Sequence, residues 1–175
     1  MRLRNSTDLP DDLIRQVVAF VRPPGISRFT VRVQNHHRSH FSGCAGGGLV
    51  TVRLGSRPRT VELWPKRRRA LAAAKGHPYE PRFAQRGVTW PMVPGDLRQR
   101  RRKSSRGGYL PLPALADRTE ALVYVMAHEL RHLWQARIPR GRRVWGARGQ
   151  FSERDADAYA LRQLRRWRRE GPPRS

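Results

Sequence analysis

A chain of 175 residues can bury one hydrophobic core without staples, and its one cysteine, Cys44, excludes an internal disulfide. No stretch approaches the roughly 18 apolar residues of a membrane span, and residues 1–12 lack the apolar run of a secretory signal while carrying Asp8, Asp11 and Asp12. A net charge of +24 and a pI near 11.9 would draw the chain to polyanions, although all but three of its 37 basic residues are arginine, a skew that a GC-rich coding sequence also produces. The expectation is one domain over residues 1–175, cytoplasmic and without membrane association; the oligomeric state is not legible.

Asp8-Leu-Pro10 and the apolar spacing of Leu13, Ile14, Val17, Val18 and Val21 predict a helix over 11–21, capped by Asp8 or a nearby polar group and ended by Pro23-Pro24. Alternation over Phe29–Gln34 and Leu49–Leu54 predicts two half-buried strands, with a third at Thr60–Trp64, in a small, mainly antiparallel sheet. Between the first two, Asn35–Gly48 reads as a glycine-rich loop with His36, His37, His40 and Cys44, too flexible to preorganise a second metal site. Residues 65–113 form an irregular insertion rich in Arg, Pro and Gly, with a short helix at Lys66–Lys75. Asp117-Arg-Thr-Glu120 has the form of a capping box and opens a helix to about Arg137, closed by Pro139 and Gly141. Ser152-Glu-Arg-Asp155 repeats that logic and starts a second helix through Trp167, with Ala156, Ala160, Leu161 and Leu164 as its buried stripe, ended by Gly171-Pro-Pro and leaving 168–175 as a basic tail. The fold class is α+β, with an N-terminal helix, a small sheet and two C-terminal helices.

Six of the 13 acids, Asp117, Glu120, Glu129, Glu153, Asp155 and Asp157, fall in this last segment. His128 and His132, four apart, project from one helix face about a turn from each other, close enough to share a metal. Glu129 lies one step around the helix, within reach of a water on the open side of such an ion, where a general base must sit. A catalytic zinc site takes three protein ligands. Glu153, at the start of the next helix, is the favoured third. Asp157, one turn further, shares its face and is placed to accept the other ring N–H of a ligating histidine. Exchanging Glu153 and Asp157 would exchange ligand and support.

With His128-Glu-Leu-Arg-His132 followed by Glu153-Arg-Asp-Ala-Asp157, the chain resembles the zincin metallopeptidases, in their gluzincin pattern, over roughly residues 117–167. The resemblance implies one Zn²⁺, Glu129 polarising the attacking water, and an active-site helix packed under a small sheet whose edge strand holds the substrate backbone. It implies a zinc metallopeptidase acting on a protein or peptide substrate. Zincins often use a separate His or Tyr on the oxyanion; Tyr109, Tyr159 and His77 are the candidates here.

Three basic runs, Lys66–Arg69, Arg98-Gln-Arg100-Arg101-Arg102-Lys103 and Arg165–Arg169, are candidate phosphate contacts, with Trp167 either stacking on bases or packing into the core. The rival reading is therefore a basic nucleic-acid-binding protein whose zincin-like domain is a scaffold or inactive.

Overall fold

The computed structural model describes residues 1–36, 42–55, 113–138 and 151–171. In chain order the elements are β1 (Arg2–Ser6), α1 (Asp11–Val21), β2 (Thr30–His36), β3 (Ser42–Gly46), β4 (Leu49–Gly55), α2 (Arg118–Gln135) and α3 (Glu153–Glu170). The expected strand at Thr60–Trp64, the helix at Lys66–Lys75 and the closing residues Pro139 and Gly141 lie outside the described residues.

The sheet runs β1-β2-β4-β3, and only β3 with β4 is antiparallel; β1 with β2 and β2 with β4 are parallel. This corrects the expected mainly antiparallel sheet. One cause is β1, a strand the sequence reading did not include: α1 carries the chain from it back to β2, and a strand returning through a helical crossover lies parallel to the first. The other is β3, which occupies part of the stretch read as a loop. It pairs with β4 across a two-residue turn at Gly47 (φ 53°) and Gly48 (φ 77°), where both positions need the left-handed backbone that glycine supplies cheaply. Because β3 takes the edge, β4 is free to lie beside β2.

Alternation sets the two faces. Val31 and Val33 on β2 pair with Val50 and Val52 on β4, and these with Leu54 are fully buried. Ala45 and Gly43 of β3 pair with Val50 and Val52, so they share that inward face. Arg4, Arg32 and Arg53 occupy outward positions.

The inward face is covered by α2, which also packs against α1 and α3. A helix surrounded in this way must be apolar around most of its circumference, and α2 buries Ala121 to Ala127 without a break, then Leu130 and Leu133. A leucine or methionine as enclosed as Leu130 or Met126 is worth about 2–5 kcal/mol against alanine.

The starts of α2 and α3 are capped by the expected side chains, with three departures around them. Asp117 caps α2 by accepting from the Glu120 amide (2.8 Å), but Glu120 reaches back to the Ala116 N–H (2.7 Å) rather than to Asp117. At α1 no side chain caps the helix; Pro10 stands at the N-cap, and Asp8 pairs instead with Arg118 (2.6 Å). Ser152 caps α3 by accepting from the Asp155 amide (3.1 Å), and Gly171 (φ 70°) ends it, so the helix runs through residues 168–170, where a tail was expected. Ala156, Ala160 and Leu164 are buried, whereas Leu161 is only partly so. None of the helices among the described residues is long and apolar enough to cross a membrane.

Candidate metal centre

Hydrogen bonds between α2 and α3 link Glu120 with Arg168, Tyr124 with Asp157, Arg131 with Asp155, and Gln135 with Ser152. Ascending numbers on one helix meet descending numbers on the other, so the two are antiparallel and the start of α3 lies against the C-terminal half of α2. This is what carries Glu153 to the histidines.

His128 Nε2 and His132 Nε2 are 3.0 Å apart, and Glu153 Oε2 lies 3.3 Å from the first and 3.4 Å from the second. Ligand atoms on a tetrahedral ion with bonds of about 2.0–2.1 Å stand about 3.3–3.4 Å from one another. The donor chemistry fits as well as the spacing. His132 Nδ1 faces the Gln135 side-chain oxygen (2.9 Å) and His128 Nδ1 faces Asp157 Oδ1 (2.9 Å), both acceptors, so each Nδ1 carries hydrogen. In the neutral rings both Nε2 lone pairs then point, with a carboxylate oxygen, at one place. A cation satisfies all three convergent acceptors at once. His128, His132 and Glu153 are thus a group that could hold a metal ion, with Asp157 behind His128 rather than among them.

In the metal-free chain the surrounding carboxylates favour a proton on His128 instead. Burial works to lower the His128 pKa, but hydrogen bonds to Asp157 and Glu153, helped by the charges of Glu129 and Asp157, outweigh it and hold it up at about 10. Burial likewise pushes Glu153 up, yet hydrogen bonds from the two histidines more than reverse this and leave it well below the usual carboxylate range. Burial, then the neighbouring Asp157 carboxylate, push the Tyr124 phenol up, so it remains a donor to Asp157 (2.9 Å).

These shifts set the pH dependence of the metal-free fold. The raised His128 contributes its stability in full below its ordinary 6.5, and this is lost as pH climbs through about 10. The lowered Glu153 contributes above its ordinary 4.5 and loses it as pH falls. Melting temperatures taken without metal are expected to peak between pH 4.5 and 6.5 and to decline on either side; a maximum on the alkaline side of that window would contradict the proton's placement.

Glu129 is buried, at 6 % exposure. Burial is the main reason its pKa is raised, against the lowering charges of His128, His132 and Arg53. It lies against β3 where the strand has no side chain: a Cβ on Gly43 would come within 2.5 Å of Glu129 Cγ and 2.7 Å of Cδ. Sequence reasoning missed Gly43. Gly43→Ala forces the whole Glu129 side chain to move, and a destabilisation of about 1–3 kcal/mol is expected in denaturant unfolding, with the metal ligands left in place.

Other expected roles fall differently. Tyr159 gives its hydroxyl to the Val21 carbonyl (2.8 Å) on α1, which removes it as an oxyanion partner. Tyr109 and His77 lie outside the described residues, as do Arg98, Arg100, Arg101, Arg102, Lys103 and the run Lys66–Arg69. Trp167 is buried edge-on against Phe20, at 5.2 Å between ring centres, so it packs in the core. Within Arg165–Arg169, Arg168 is held by Glu120 (2.6 Å) and the Ala114 carbonyl, and Arg166 bonds the Phe20 carbonyl and stacks on its ring. Those two arginines are engaged by the fold rather than free for phosphates. Cys44 is exposed on β3; His37 and His40 lie outside the described residues. Comparison with protein-family models, curated proteins and solved structures finds no match to this chain.

Proposed function

We propose that this chain is a zinc-dependent hydrolase that cleaves peptide bonds, with His128, His132 and Glu153 as the metal ligands and Glu129 as the general base. The observation that carries the reading is Glu129: a carboxylate taken out of water, at 6 % exposure, with its pKa raised by that burial, beside three convergent ligand atoms. Such a group costs stability, and neither a scaffold nor a structural metal site needs it. A closed structural site would also engage four protein ligands, and the cluster has three among the described residues.

Zinc, when bound, supplies a Lewis acid and a water acidified toward about pH 7. Glu129 accepts the proton of the attacking water and hands it to the leaving amine. Asp157 holds His128, and Tyr124 holds Asp157. The peptide substrate is supported by β3. Among the described residues it is an edge strand, it lies against Glu129, and an extended chain pairing along it would pass that carboxylate.

The test is zinc content of the purified chain together with proteolysis of an unfolded protein substrate before and after chelation. About one zinc per chain, with chelator-sensitive cleavage restored by zinc, is the expected result. A chain that binds zinc but cleaves nothing sinks the peptidase, and one that takes up none sinks the site.

A further inference from the structure

The two histidines are supported by different chemistry. Behind His128 stands a carboxylate, Asp157; behind His132 stands a neutral amide, Gln135, which is fully buried. Three contacts fix how that amide is turned. Its nitrogen donates to the Ser152 carbonyl (3.0 Å) and to Asp155 Oδ2 (2.8 Å), while its oxygen accepts from the Ser152 amide (3.2 Å). Asp155 is itself gripped by Arg131 through both oxygens (2.7 and 3.1 Å), and the Arg131 guanidinium lies 3.6 Å over the Trp134 ring. The amide oxygen, rather than the nitrogen, is therefore the atom turned to His132 Nδ1 (2.9 Å).

Resting on the metal reading above, we infer that Gln135 is the positioning residue of His132. Its fixed oxygen accepts the Nδ1 hydrogen, selects the tautomer whose Nε2 lone pair points at Glu153 and His128, and locks the ring plane. A histidine free to rotate or to take the other tautomer would present N–H where a lone pair is required. The same amide joins the last turn of α2 to the cap of α3, so the placement of His132 and of its neighbour Glu153 depends on one side chain. Being neutral, Gln135 does this without adding a second negative charge beside Asp155.

Gln135→Leu and Gln135→Glu, made in the full chain, separate this role from a merely structural one. Leucine removes the acceptor. Zinc affinity, measured by competition with a chromophoric chelator, is expected to fall about 10- to 100-fold, and nitrogen NMR of the metal-free neutral ring should show His132 losing its preference for hydrogen on Nδ1. Glutamate keeps an acceptor for His132 but turns its second oxygen toward Asp155, so it is expected to lower the melting temperature while holding zinc affinity within about threefold of wild type. Affinity that tracks melting temperature in both variants would mean a packing role only and overturn the inference. So would a folded leucine variant with wild-type affinity and an unchanged tautomer. Should the leucine variant fail to fold, the glutamate variant decides, since a tenfold or greater loss despite the retained acceptor refutes it. A wild-type chain without zinc affinity overturns the metal reading and this inference together, whereas tight binding by wild type and Gln135→Leu alike overturns the inference alone.

Discussion

Glu129→Gln is expected to retain zinc and to lose hydrolysis by about 100- to 10,000-fold, the usual contribution of a positioned acid–base group. The two side chains have nearly the same shape, so the space over Gly43 and the three ligand atoms are undisturbed. What changes is the ability to take a proton. The same substitution removes a carboxyl whose ionised form burial disfavours, and it should raise the melting temperature of the metal-free chain by roughly 2–4 °C. Loss of turnover with a gain in stability is the signature of a residue kept for chemistry. Full hydrolytic activity in the glutamine variant would end the general-base assignment.

Glu153→Ala is expected to have the larger effect on the metal. It removes one of three ligand atoms and leaves two lone pairs 3.0 Å apart with no anion between them. Asp157→Ala leaves all three ligands but strips His128 of its acceptor and Tyr124 of its partner, which should weaken zinc by about 10- to 100-fold. Zinc content and competition titrations on the two variants rank them. If Asp157→Ala lost more metal than Glu153→Ala, ligand and supporting residue would have to be exchanged.

The C-terminal helices could be read from the sequence because their determinants are local. Asp117 and Ser152 cap within three residues, the apolar period repeats every turn, and His128, His132, Glu153 and Asp157 need only two helices packed antiparallel to meet. The sheet had no comparable signal. β1 is Arg-Leu-Arg-Asn-Ser, with one apolar side chain, and its strand state comes from pairing with residues 30–34 rather than from its own composition. β3 is Ser-Gly-Cys-Ala-Gly, poor in everything that marks a strand. Its small residues are there for the opposite reason to a loop's: they let β3 lie against α2 with Glu129 between them. Gln135 escaped notice because it neither titrates nor binds metal. The available signal was its position three residues after His132 on a helix face that already carried two ligands.

The assembly of this centre also bears on when its chemistry can first appear. Gly43 at the sheet edge, Glu129 and the histidines in the central helix, and Glu153 on the last helix are joined only after chain segments more than a hundred residues apart have met. Any intermediate missing the sheet edge or the final helix has either a displaced base or an incomplete ligand set. On the peptidase reading proposed above, a nascent or partly unfolded chain is therefore inert, and it is harmless to itself and its neighbours at the stage when unfolded polypeptide is closest at hand.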